Sequence, residues 1–398
     1  MKKLKKFFKS PRKFFKDSLW FKNIRIDIHK KYENLFVVSH LGQLNQIEVF
    51  IKSKGIENNL LIVLYTMKNK LMPTMIENQY NKLLFEDVVF LKLPNKPNSY
   101  NISTLFFIKR IYIKLLKITN PINLYLLSFE NHYSLLATYA KNKNINLILL
   151  EEGTAVYKKL NPFEINNLIL YCKWFIAKIL KIDVAFDRFY YFDVIYASFP
   201  HLLENKFKAK KYQYFFAYNT NSKMSSETKI LINKYKITSK DFIYVNQRYS
   251  IDNEEFAKAL VYILEQISDL FNVRIFIKFH PKDTPSLIES VEKYILKDSK
   301  IILIQENTFV IENILKLLKS KYILGLTSTS LLYASLISPE INSYSIVPWF
   351  IKQVTKTDEN LVGINIIKEH YEIIKEFKQI KKISSLQDLM QNNIKDTV

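Results

Sequence analysis

The sequence predicts an α/β fold of two doubly wound, Rossmann-like domains facing a cleft. Short apolar runs alternate with segments of helical periodicity, the pattern of parallel sheets covered on both faces. This alternation occurs twice, and a polar stretch at 217–229, "AYNTNSKMSSETK", separates the two series. The length of 398 residues suits two domains at roughly 150–200 residues each.

The first series opens with a strand at 34–40, "NLFVVSH", followed by a helix through "LGQLNQIEVFIKSKG" that ends near Gly55. Strands follow at 59–65 and 87–93, then a helix at 103–119 and a strand at 122–128. The segment "NHYSLLATYAKNK" reads as a helix and "INLILLEEG" as the next strand. The region 161–216 is aromatic and basic, with weaker periodicity. The second series has a strand at 241–247, a helix in "NEEFAKALVYILEQISDLF", a strand in "VRIFIKFHP" and a helix in "TPSLIESVEKYIL". A strand in "KIILIQE" and a helix in "TFVIENILKLLKS" precede "YILGLTSTSLLYAS", which runs from strand into helix. The division expected is a basic aromatic segment at 1–22, an acceptor-side domain at 23–220, a donor-binding domain at 221–360, and terminal helices at 361–398 that cross back to the first domain.

The formal charge of +22 draws polyanions: nucleic acid, anionic lipid or acidic polysaccharide. Zinc-finger spacing, an RNP-like aromatic motif and a helix-turn-helix signature are all missing from the sequence, so nucleic acid is not the expected partner. The single cysteine, Cys172, allows no disulfide within the chain and reads as a buried apolar side chain, in keeping with a reducing compartment. The longest apolar run, 167–182, is broken by Lys173, Lys178 and Lys181, so no transmembrane helix is expected. The amino-terminal stretch lacks the apolar core of a signal peptide. It interleaves Phe7, Phe8, Phe14, Phe15, Trp20 and Phe21 with Lys5, Lys6, Lys9, Arg12, Lys13 and Lys16, the pattern of a segment lying on anionic lipid.

Three strand ends carry the chemistry. Glu151-Glu152-Gly153 closes a buried strand of the first domain, where two adjacent like charges gain nothing for a core. His280-Pro281 closes a strand of the second domain, and Thr327-Ser328-Thr329-Ser330 lies between a strand and a helix. Gly153 and Gly325 are two of only five glycines, so both turns are expected to need close backbone approach or positive φ. Ligands of doubly wound sheets bind at the carboxyl ends of strands. Hydroxyls and amides at a helix start bind phosphate, a histidine neutralises or protonates a departing phosphate, and a carboxylate accepts the proton of an attacking hydroxyl. Together these describe glycosyl transfer from a sugar nucleotide.

The order [DE]-[DE]-G, HP, S-[ST] resembles the signature of bacterial sialyltransferases of GT-B architecture. It reads here as Glu151-Glu152-Gly153, His280-Pro281 and Ser328-Thr329 or Thr329-Ser330. The opening "VVSHLGQLNQIE" looks like the first strand and helix of those enzymes, and "SPRKFFKDSL" looks like the start of capsule-assembly proteins. The nearest resemblance is to the bacterial capsular polysialyltransferases, over about residues 35–335. It implies an inverting, metal-independent transferase that extends polysialic acid from CMP-sialic acid, with no cofactor. It further implies a cytoplasmic protein, peripheral on the inner face of the bacterial inner membrane, beside capsule-assembly proteins.

On this reading Glu152 is the favoured base, with Glu151 the alternative, and their repulsion raises one pKa. His280, with Pro281, contacts the CMP phosphate, and Ser328, Thr329, Ser330 and Gly325 form its site. Glu312 is a candidate for the ribose hydroxyls and Gln247 for the nucleotide pocket; His40, Gln43, Asn45 and Gly153 are candidates for contact with donor or acceptor sugar. Lys158, Lys159, Lys173 and Lys178 are candidates for a groove holding the oligosialyl or polysialyl acceptor. Rival readings are a lipooligosaccharide sialyltransferase adding one residue, a transferase of another CMP-activated acidic sugar, and a non-catalytic polyanion- or membrane-binding protein.

Overall fold

The first sheet starts where the chain turns apolar: Leu35, Phe36, Val37 and Val38 are all essentially inaccessible to solvent. The structure, a computed structural model, describes residues 22–28, 30–158, 164–219, 226–280, 283–306, 311–318 and 321–394, together with Leu19 and Phe309. The chain divides into two compact units, Met1–Ala217 and Tyr218–Val398.

The first unit holds a seven-stranded sheet in the order β3-β2-β1-β4-β5-β6-β7. Its strands are β1 (Asn34–Val38), β2 (Asn59–Tyr65), β3 (Asp87–Lys92), β4 (Asn123–Leu126), β5 (Asn146–Leu150), β6 (Tyr191–Ala197) and β7 (Lys208–Tyr214). All neighbouring pairs are parallel. The helix Leu41–Lys54 starts directly after β1, with His40 as its N-cap and Gly55 as its left-handed C-cap. Its Leu44, Ile47 and Phe50 pack on Phe36, Val38 and Ile148 of the sheet, with Phe36 stacked on Tyr125 at 4.2 Å. Strand β7, at the sheet edge, carries Lys208, Lys210 and Lys211, and such charges protect an edge from pairing with other chains. The weak periodicity of 161–216 therefore hides two strands and the helix Leu168–Ile179.

The second unit holds a six-stranded sheet in the order β10-β9-β8-β11-β12-β13. Its strands are β8 (Phe242–Val245), β9 (Ile275–Lys278), β10 (Ile301–Ile304), β11 (Tyr322–Gly325), β12 (Asn342–Ser345) and β13 (Ile380–Lys382), again all parallel. The amphipathic helix Asn253–Phe271 buries Phe256, Leu260, Ile263, Leu264 and Ile267 in its core. The sequence reading takes 361–398 as terminal helices that cross back to the first domain. Within the second unit this stretch holds strand β13, which pairs with β12, and most of the helix Asp358–Lys375, which lies against Ser250 and Ile251.

The sequence reading of Cys172 as buried is corrected: the thiol is exposed, on a helix whose only buried residue is Ala177. Among the described residues no helix is long and apolar enough to cross a membrane. The basic aromatic segment lies largely outside the described residues.

Gly363 fixes how close the helix Asp358–Lys375 comes to the loop after β8. A methyl group there would sit 2.3 Å from the Ser250 carbonyl oxygen. Gly363→Ala is therefore expected to destabilise the second unit by about 1–3 kcal/mol through overpacking, read as a lower urea midpoint. An unchanged midpoint would mean that the loop yields without cost.

Candidate active site

The two glutamates after β5 have different surroundings. Successive residues of an extended chain point to opposite sides, and the sheet uses that alternation to part them. Glu151 is 6% exposed. Its Oε2 accepts from the Tyr157 hydroxyl at 2.5 Å and the Ser198 amide at 2.5 Å, and the Ser198 hydroxyl donates to Oε1 at 3.3 Å. Tyr157 is itself buried and accepts the Phe199 amide at 3.0 Å. Burial, and then the Glu151 carboxylate, push the Tyr157 phenol far up, so it stays a donor. Glu151 thus ties the ends of β5 and β6 together.

Glu152 keeps a side chain 31% exposed. His40 Nε2 lies 2.6 Å from one of its oxygens, and the Gln43 side-chain amide donates to the other at 2.6 Å. The Gln43 amide group is oriented by Ser39, whose N–H and hydroxyl donate to its oxygen at 2.6 and 3.1 Å. Tyr133, buried and with its phenol pushed up by burial, hydrogen-bonds Ser39 in turn. The Gln43 N–H donates to His40 Nδ1 at 3.4 Å, which leaves the ring proton on Nε2, facing Glu152. Gly42 gives the ring room, since a methyl group there would lie 3.2 Å from His40 Nδ1. Gly153, at φ +60, turns the chain into the short 3-10 segment Gly153–Tyr157.

His40 and Gln43, expected to face sugar, therefore hold Glu152. Asn45 is exposed on the same helix and takes no part in this network. Lys158 is half-buried, Lys173 and Lys178 are exposed on the helix Leu168–Ile179, and Lys159 lies outside the described residues.

In the second unit the carboxyl ends of β8, β9 and β11 bring together several predicted residues. Gln247 Oε1 accepts from the Tyr249 hydroxyl at 2.6 Å and the Thr327 hydroxyl at 2.7 Å, and those two hydroxyls lie 2.5 Å apart. Ser328 N-caps the helix Thr329–Ile337, accepting from the Ser330 amide at 3.3 Å; Thr329 is its half-exposed first residue. Ser330 is buried and donates its hydroxyl to Glu312 at 2.8 Å. Glu312 is buried too, and burial raises its pKa. Lys278, whose pKa burial lowers, contributes charge beside Glu312 and Asp283. Gly325 ends β11 where a methyl group would press on the Val245 carbonyl at 3.2 Å, so it serves close strand packing.

His280 follows β9, and Asp283 accepts its amide at 2.8 Å and the Asn246 side-chain amide at 2.7 Å. Pro281 lies outside the described residues. A pocket of about 380 Å³ is lined by His280, Gln247, Arg248, Tyr249, Ser250, Ile366 and His370. Sequence reading missed Arg248, Tyr249, Asp283 and His370. Asp283 and Tyr249 had a local signal, three residues after His280 and two after Gln247. His370 sits mid-helix and had none.

The division between the glutamates predicts opposite stability effects. Glu151→Gln is expected to lose about 1–3 kcal/mol, because an amide nitrogen would face buried donors. Glu152→Gln, partly exposed, is expected to stay within about 0.5 kcal/mol of the parent. Urea unfolding of both variants checks this, and the reverse ranking would contradict the assignment.

The sequence profile of the Alpha-2,8-polysialyltransferase (POLYST) family matches residues 34–347. No curated protein matches the chain significantly. Several solved structures share its fold. UDP-GlcNAc 2-epimerase from Neisseria meningitidis bound to UDP-GlcNAc is 13% identical at a TM-score of 0.53, over 91% of this chain and 90% of that one. UDP-GlcNAc 2-epimerase from Methanocaldococcus jannaschii is 16% identical at 0.51, over 86% and 91%. Arabidopsis thaliana UGT89C1 is 12% identical at 0.51, over 89% and 86%. At these identities the likeness shows the fold alone, the two-sheet α/β architecture of the GT-B class.

Proposed function

The chain belongs to the alpha-2,8-polysialyltransferase family, and on that premise we propose that it extends a sialic acid polymer by inverting transfer from CMP-sialic acid. It is a glycosyltransferase, and its family implies a sialic acid donor and a sialyl acceptor. The donor's CMP activation, the inversion and the capsular role are our reading.

The acceptor hydroxyl oxygen attacks the anomeric carbon of the donor sialic acid from the side opposite CMP. The new C–O bond forms as the bond from that carbon to the phosphate oxygen breaks, with its electron pair leaving on CMP. Glu152 takes the hydroxyl proton. The observation that carries this role is its partly exposed carboxylate, held on both oxygens by His40 and Gln43 at the end of β5. A carboxylate fixed by two donors is pre-oriented for proton transfer, which supports general base catalysis.

The leaving phosphate falls to the second unit. His280 offers a donor beside Arg248 and His370, a lining suited to a monophosphate. The Ser328–Ser330 turn adds a helix start, and Glu312 fixes the Ser330 hydroxyl from behind. A monophosphate leaving group held by cations and amides supports a metal-independent reaction. The N-terminal basic aromatic segment supports a peripheral, cytoplasmic place on the inner face of the inner membrane, near capsule-assembly proteins.

Glu152→Gln is expected to slow transfer by about 10²–10⁴-fold with CMP affinity retained, whereas His280→Ala should weaken CMP binding. Calorimetry with CMP and a radiolabelled transfer assay separate the two, and near-parental transfer by Glu152→Gln would refute the base assignment. In a charge +22 polymerase longer oligosialyl acceptors should bind more tightly, with the advantage shrinking above about 0.1 M salt, where screening acts within roughly 10 Å. Affinity independent of length and salt would leave single addition as the reading.

A further inference from the structure

The helix Leu168–Ile179 buries only Ala177 and turns most of its apolar side chains to solvent. Leu168 is 76% exposed, Ile169 71%, Ile179 66%, Phe175 53%, Tyr171 49% and Ile176 45%. Single exposed apolar residues are ordinary on a soluble surface, but a contiguous patch of this kind marks an interaction site.

The order of these residues around the helix is informative. At 3.6 residues per turn, Tyr171, Phe175, Leu168, Ile179, Ile176 and Ile169 fall in that order within an arc of about 160°. Lys173 flanks the arc on one side and Lys178 on the other, both exposed. Ala177 faces the opposite way, toward the protein. Lys178 also lies over the Trp174 ring, 5.1 Å from its centroid. No Asp or Glu occurs from Ile165 to Ile182, whereas Lys173, Lys178 and Lys181 do.

We propose that this helix is a lipid-docking element that lies in the interface of an anionic membrane, its apolar arc among acyl chains and its lysines at the headgroups. The charge pattern selects that occupant. An apolar arc between two lysine margins is the layout of an interfacial helix, in which Lys stems run along apolar surface while their heads reach the phosphates. A second copy of the chain would bring the same lysines against each other with no acidic residue to meet them. A polyanionic sugar chain would find carbon where it needs donors. The proposal does not depend on the transfer reaction. It moves Lys173 and Lys178 from an acceptor groove to a membrane-facing margin, and it gives exposed Cys172 a place on the same surface.

The test uses the full chain carrying Trp20→Phe, which leaves Trp174 on the helix and Trp349, 4% exposed, in the core. Phosphatidylcholine vesicles with and without phosphatidylglycerol, carrying brominated acyl chains, report on depth. Trp174 emission is expected to shift blue and be quenched on the anionic vesicles, and much less on the neutral ones. Ile169→Asp with Phe175→Asp, both at exposed positions, should abolish the quenching and weaken vesicle binding by about tenfold or more, with soluble-acceptor transfer and the urea midpoint unchanged. Three results would overturn the proposal. One is vesicle binding without Trp174 quenching, which would leave the amino-terminal segment as the anchor. Another is equal binding by the double variant. The third is a lipid-free dimer of the parent that the double variant dissolves, which would make the patch a self-association face.

Discussion

Two adjacent carboxylates at the end of a buried strand are the constraint from which the first unit follows. In water their repulsion is weak, but at the tip of a sheet it needs an answer. The answer here is separation. Glu151 points into a buried nest of three donors from Tyr157 and Ser198, and Glu152 points to His40 and Gln43. Each carboxylate is satisfied by its own hydrogen bonds rather than by its neighbour. The two carboxylates divide their work by position: one fixes the backbone, and its neighbour stays accessible in a fixed orientation.

The second unit uses a similar device. Side chains placed to meet ligand are backed by buried partners that are not. Asp283 holds the His280 amide, Gln247 gathers the hydroxyls of Tyr249 and Thr327, and Glu312 accepts from Ser330. Glu312, read from the sequence as meeting ribose, is buried behind the turn it supports. Such backing determines whether a hydroxyl or imidazole is held where the chemistry needs it.

Much of the fold was legible because most strands are apolar on both faces and most helices carry caps or clear periodicity. The exceptions have physical causes. β12 reads as polar, "NSYS", yet Ser343 and Ser345 are fully buried, and Ser345 donates to the Leu326 carbonyl at 2.6 Å. β7 is disguised by the lysines that protect an edge. The glutamates, His280 and the serine turn were legible as strand-end motifs. Ser198, Arg248 and His370 were not, because the folded chain alone brings them to these motifs, and His40 was legible as a site residue but not as the partner of Glu152. The apolar helix Leu168–Ile179 was read as a failed membrane span with a buried cysteine, since sequence alone does not tell which face a helix presents.

The central claim is that His40 and Gln43 act through Glu152. A double-mutant cycle on transfer turnover tests it most directly, combining Gln43→Ala with Glu152→Gln. If Gln43 works only by holding that carboxylate, its removal slows the parent by about 10- to 100-fold and has no further effect once Glu152 is an amide. Multiplying losses in the double variant would contradict the account and return Gln43 to direct contact with sugar.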